Sequence, residues 1–325
     1  MVRLLVAAAL AIAPPVAAQG LHLLVVTGLG GEPSYSASFA TAGAGLVDAA
    51  RGWGVPAGRI TWLAEDTTRD AARVRGRSTK AALEAALVRI GRQGQRGDTV
   101  LVVLIGHGSG EGATSRISLP GPDPTAADLG RALDALDGRV LVVVVAASGS
   151  GDFLPVLSRP GRIIITATRS AVERNESLFG SRWVQGLASA EADADKDGRI
   201  TLLESFTYAS RAVQRAYDDD KRLLTEHAQL DDDGDGRGSG TPGADGASDG
   251  ALARRVGFGG RAISTDPRVA ALVAERTALE TQVEQLRRRK DTMREAEYLD
   301  ALEALLVRIA EKTAAIRDAS GGGAP

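Results

Sequence analysis

Two stretches constrain this chain more than any others. Residues 99–110 read TVLVVLIGHGSG and residues 139–151 read RVLVVVVAASGSG. Each is a run of branched apolar residues that stops at small, Gly-rich polar sequence. Apolar runs that do not alternate with polar residues belong to strands of a sheet covered on both faces. The first run delivers His107 and Gly108 to its end. The second delivers Ala147, Ser148 and Gly149. If the two strands are neighbours, a histidine and a hydroxyl meet at one rim.

The rest of the chain fits around this pair. LHLLVVTG (21–28) reads as a strand running into a Gly-rich turn, GLGGEP. Helical spacing follows over 36–52, then a strand over 59–66. Ser78 is expected to cap the helix STKAALEAALVRIGRQ. ISLPGPDP gives a short strand and turn, and Thr125 opens the helix TAADLGRALDALDG. A short helical patch over 152–158 and a strand over 162–170 come next. Residues 177–220 read as helical on both sides of an acidic loop. Strands alternating with helices indicate an α/β class with a largely parallel sheet and helices on both faces. In such sheets, sites form beyond the carboxyl ends of the strands. His107 and Ser148 sit at two such ends, with Glu32 and Arg169 in nearby turns.

A hydrophobic strand ending in His-Gly, followed some forty residues later by one ending in Ala and a nucleophile, resembles the caspase-like and legumain-like cysteine peptidases. LIGHGSG is similar to their histidine motif. VVVVAASGSG is similar to their nucleophile motif, with Ser148 in the cysteine position. The order of elements over about 21–230 fits the same family. The resemblance implies a caspase/legumain-like fold with His107 as general base and the amides of Gly108 and Ser148 as oxyanion donors. It also implies a departure, because the chain contains no cysteine. A serine hydroxyl, unlike a thiol, needs a base within hydrogen-bond reach that is itself held by a third group. Glu111 is the acidic residue near His107 in sequence. The expectation is a pseudopeptidase that binds a protein or peptide. The alternative is a hydrolase using Ser148, or Ser150, with His107 as base.

The most specific pattern lies elsewhere. In the acidic loop Asp193, Asp195 and Asp197 stand at positions 1, 3 and 5 of an EF-hand loop. Gly198 occupies the sharp turn, Arg199 offers its carbonyl, Ile200 packs inward, Thr201 is at position 9 and Glu204 at position 12. Calcium takes six to eight hard oxygens, which this set supplies. A Ca2+ ion is therefore expected at Asp193, Asp195, Asp197, Arg199, Thr201 and Glu204. Asp231, Asp233, Asp235 and Gly236 repeat the first half of the pattern, but Pro242 replaces the bidentate acid. That second loop, within the Asp/Gly-rich stretch 231–250, reads as a linker or a partial site without regular structure.

From 267 to 318 the pattern changes to heptads. Val269, Leu272, Leu279, Val283 and Leu286 share one frame, with Arg276 at a core position. Tyr298, Leu302, Leu305, Ile309, Lys312 and Ile316 share another. The frames are out of phase, and Thr292 with Glu295 suggests a capping box between them. An antiparallel hairpin is expected, or else one long dimerising coiled coil; either allows self-association. Arg287–Lys290 is a basic run beside the break. Residues 319–325 read as a loose end.

At the other terminus, a positive start, an apolar run and Val16-Ala17-Ala18 resemble a signal peptide cleaved before Gln19. The alternative is a short membrane anchor. The expected divisions are 1–18, 19–262 for the α/β domain and 267–318 for the hairpin. With no cysteine, there are no disulfides or thiolate metal sites. The net charge is −2, from 39 basic and 41 acidic residues, which gives no field for nucleic acid. No later stretch is long and apolar enough to span a bilayer. A bacterial periplasmic or secreted location is expected.

Overall fold

The computed structural model describes residues 20–195, 198–244, 247–259 and 267–319. The expected signal segment, Asp197 and the loose end from 320 lie outside the described residues. Strands β1 (Leu21–Thr27), β2 (Ile60–Ala64), β3 (Val74–Arg77) and β4 (Thr99–Gly106) are followed by a two-residue pair, β5 (Gly108–Ser109) and β6 (Arg116–Ile117). Then come β7 (Val140–Ala147), β8 (Arg162–Thr166), β9 (Ile200–Thr201), β10 (Gln229–Asp231) and β11 (Gly257–Phe258). Seven of these form one sheet in the order β10-β8-β7-β4-β1-β2-β3. All its neighbours are parallel except β10, which runs antiparallel to β8.

Successive residues of the central strands point to opposite faces, and each face has its own helices. Leu23, Val25, Leu101, Val103, Val142 and Val144 pack beneath α1 (Pro33–Gly52), α5 (Phe179–Leu187) and α6 (Leu202–Asp219). Leu24, Val26, Val100, Val102, Val143 and Val145 pack beneath α2 (Lys80–Gln93), α3 (Ala126–Leu133) and α4 (Phe153–Leu157). Both faces are dry, so the strands carry no polar alternation. The sheet is the covered, largely parallel α/β sheet expected from the sequence.

Several boundaries differ from the expectation. Thr79, not Ser78, caps α2: its hydroxyl accepts from the Ala82 amide at 3.2 Å. Ser78 is fully buried and gives its amide to the Ala64 carbonyl instead. Thr125 does cap α3, in a reciprocal box with Asp128. The strand expected over 162–170 stops at Thr166, because Thr166 Oγ1 donates to the Thr168 carbonyl and turns the chain. Two edge strands, β3 and β10, carry too few residues to show a period. The loop expected to be irregular from 231 begins as the last residue of β10, and Leu230 exchanges both backbone hydrogen bonds with Ser239.

The C-terminal segment is a hairpin within one chain. Helices α7 (Pro267–Arg288) and α8 (Glu295–Ala319) pack against each other around a short turn at 290–292. Their lengths are about 33 and 38 Å at the helical rise. Val269, Leu279, Val283 and Leu286 are buried on α7, as are Tyr298 and Ile316 on α8. Lys312 Nζ meets Glu275 Oε2 across the pair at 2.5 Å. Thr292 lies three residues before the first residue of α8, too early to cap it, and its hydroxyl donates to the Arg289 carbonyl. No helix among the described residues is long and apolar enough to cross a membrane.

Candidate functional site

Strands β4 and β7 are paired in parallel, and their last partners are Gly106 and Ala147. His107 and Ser148 therefore leave the sheet side by side. The Gly108 amide donates to Ser148 Oγ at 3.3 Å. This contact needs the glycine, since a Cβ at 108 would stand 2.4 Å from the Ser148 carbonyl oxygen. Gly149 turns the chain with φ +62° and gives its amide to the Glu173 carbonyl at 2.7 Å. Ser148 itself is 4% exposed.

His107 faces another way. Its Nε2 lies 3.2 Å from the carbonyl of Gly30, in the turn after β1. A carbonyl only accepts, so Nε2 carries the proton in this contact. The ring sits edge-on to Tyr35 and Phe39, with centroids 5.0 and 5.2 Å away. Among the described residues no hydrogen bond joins His107 to Ser148, and none joins His107 to a carboxylate. Glu111 is exposed. The amide expected to stabilise an oxyanion, Gly108, is engaged by the hydroxyl expected to attack.

Ser150, the other hydroxyl after β7, points into the fold. Its oxygen is fully buried and accepts from the amides of Ala167 and Thr168 at 3.1 and 3.2 Å. It joins the turn after β7 to the end of β8.

The two rim charges differ. Glu32 is exposed at the start of α1 and uses its carbonyl to accept from Ser36. Arg169 pairs with Glu173 at 3.2 Å. Glu173, almost buried, also holds His227: Oε1 lies 2.6 Å from Nδ1, and Oε2 accepts from the backbone amides of Arg169 and His227. A carboxylate accepts only, so His227 carries its proton on Nδ1. His227 and Glu173 escape a sequence reading because 54 residues separate them. A nearby buried acid, Glu226, accepts from Ser177 Oγ and the amides of Leu178 and Phe179, at the start of α5. Burial pushes its carboxyl above the ordinary range despite those donors.

In the acidic loop, oxygens of Asp193, Asp195 and Glu204 lie within 4.8 Å of one another. Gly198 takes φ +83° and its amide donates to Asp193 Oδ2. Thr201 caps α6 in a reciprocal box with Glu204, and its hydroxyl also lies 2.8 Å from Glu204 Oε2. The amides of Ala194 and Asp195 point at Glu204 Oε1. Ile200 belongs to β9, which pairs antiparallel with β11. The short strand of this loop is thus completed by Gly257–Phe258 and not by the loop at 231.

That second acidic loop is organised around its own backbone. Asp231 accepts from the amides of Gly234 and Gly236, and Asp232 from those of Gly250 and Ala253. Oxygens of Asp231, Asp233 and Asp235 also lie within 4.8 Å of one another. Burial pushes the Asp249 carboxyl up to about 7, opposed by the Asp232 amide and reinforced by the charges of Asp233, Asp231 and Asp232.

No protein-family model matches the chain, and no curated protein matches it. Among solved structures, it is similar to caspase-1 from Spodoptera frugiperda, with a TM-score of 0.43 and 12% identity over 66% of this chain and 87% of that one.

Proposed function

We propose that this chain is an exported caspase- or legumain-like domain that binds a protein or peptide at its rim without hydrolysing it. The observation that carries the reading is Ser148 Oγ. It is buried, it accepts from the Gly108 amide, and among the described residues it has no hydrogen bond to His107. A serine without a coupled base stays protonated and unreactive. A fluorophosphonate probe tests this directly: the wild-type chain is expected to remain unlabelled. Labelling at Ser148 that disappears in His107→Ala would establish a serine hydrolase instead. Ser148→Cys supplies a nucleophile that ionises near neutrality. Gain of peptidase activity in that variant is the outcome expected of a preserved peptidase scaffold.

The loop at 193–204 is proposed to hold Ca2+. Asp193, Asp195, Thr201 and Glu204 supply hard oxygens within one small volume, which suits a large divalent cation. Bound there, the ion would fix the entry of α6 against β9 and β11. Asp193→Ala combined with Glu204→Gln should abolish the calorimetric binding signal. Export predicts that the mature chain begins at Gln19, which N-terminal sequencing would read. Self-association through the hairpin predicts that a chain ending at Ala262 loses it in sedimentation.

A further inference from the structure

Arg276 is out of place by composition and well placed by geometry. It occupies a core position of the α7 frame, between Val269 and Leu279, yet is only 7% exposed. Burying a guanidinium at an apolar seam is unfavourable unless acids surround it. Two do. Its Nε lies 3.3 Å from Glu280 Oε1, one helical turn on. Its Nη1 lies 3.9 Å from Asp195 Oδ2. Asp195 is the third position of the acidic loop, and its oxygen lies within 4.8 Å of those of Asp193 and Glu204. The hairpin therefore places a fixed positive charge against the carboxylates that would receive a cation.

We propose that Arg276 acts as a tethered counter-ion for the 193–204 loop, so that docking of α7 on this loop and divalent-cation binding oppose each other. The inference rests on the calcium reading above. A divalent ion drawing Asp195 inward weakens one of the ion pairs that help make burial of Arg276 tolerable. The guanidinium charge in turn repels an incoming cation. Such coupling is reciprocal: whatever factor Arg276 takes from the ion's affinity, the ion takes from the docking of α7. The expected effect of calcium is to loosen the hairpin from the α/β domain while leaving both folded.

The test uses the full-length chain and Ca2+ alone. In Arg276→Met the seam gains an apolar side chain of similar length. Calcium affinity measured by calorimetry is expected to rise about tenfold, inside the usual range for coupled sites. Arg276→Lys keeps the charge and should stay near wild type, which guards against a folding defect in the first variant. The absence of native cysteine permits a spin-label pair at Val88→Cys on α2 and Glu303→Cys on α8, both exposed. Calcium should broaden their distance distribution in the otherwise wild-type chain and leave it unchanged when Arg276→Met is added. Calcium binding with equal affinity in wild type and Arg276→Met, with no change in distance, would overturn the coupling and leave the calcium reading standing. Tighter binding by wild type than by Arg276→Met would overturn it as well. Calcium binding to neither chain would remove both.

Discussion

His107 and His227 stand at the same carboxyl-end rim of the sheet, but their surroundings differ in kind. His107 follows β4, lies among aromatic rings and gives its proton to a backbone carbonyl. His227 precedes β10, which runs antiparallel to β8, and its Nδ1 is held by the carboxylate of Glu173. Among the described residues, the histidine that the strand pattern singles out has no acid behind it. The histidine with an acid behind it sits in a loop and carries no pattern. Position at a strand end selects a residue for reach, whereas a carboxylate partner fixes its tautomer and orientation. At this rim the two properties have come apart.

The largest effect is expected at Glu173. Its carboxylate serves Arg169, the His227 ring and two backbone amides. Glu173→Ala leaves those donors without a partner, and a loss of about 2–4 kcal/mol is expected in denaturant unfolding. A loss below about 1 kcal/mol would mean that the rim does not depend on this acid. The two serines repeat the contrast on a smaller scale. Ser150→Ala strands the buried Thr168 amide, while the Ala167 amide keeps the Val145 carbonyl, and should cost about 1–3 kcal/mol. Ser148→Ala strands one amide across a long contact and should cost less than Ser150→Ala; a reversed order would show that Ser148 is the structural one. His107→Phe keeps an aromatic ring beside Tyr35 and Phe39. It should shift stability by less than about 1 kcal/mol.

The third histidine of the chain gives the smallest and most specific effect. His22 is 1% exposed and lies 3.4 Å from Asp98. Burial, then the charge of Arg59, lowers its pKa, and the pull of Asp98 does not restore it. Below the ordinary histidine pKa of about 6.5 the unfolded chain takes up a proton that the folded chain resists. The unfolded state then binds more protons, so this contribution to stability is present at neutral pH and is lost as pH falls below that value. The difference in melting temperature between wild type and His22→Gln should therefore narrow on acidification from pH about 7.5 to about 5.5. A constant difference would contradict the assigned direction.

What could be read in the sequence follows from how far each signal extends. β4 and β7 are legible because both faces are buried, so eight consecutive residues repeat one message in each. β3 and β10 carry four and three residues, and their pairing is decided by neighbours distant in the chain. The acidic loop is legible because its candidate ligands all lie within one turn of chain. The Glu173–His227 pair is not, and neither is the orientation of His107, which depends on the carbonyl of Gly30. Arg276 is visible as an anomaly in the heptad frame, but Asp195, one of the acids that face it, lies in another part of the chain.

One consequence concerns the edges of the sheet. A parallel sheet of this kind ends in two open backbones, each able to recruit a further strand from another molecule. On one side β3 is short and carries Arg75 and Arg77, charges that discourage such pairing. On the other, the outward backbone groups of β10 are taken by Ser239, within the Asp/Gly-rich loop that Asp232 ties down through Gly250 and Ala253. That loop is therefore also the lid on an otherwise sticky edge. Asp232→Ala, which removes the acceptor of the Gly250 and Ala253 amides, is therefore expected to leave the outer backbone of β10 less well covered.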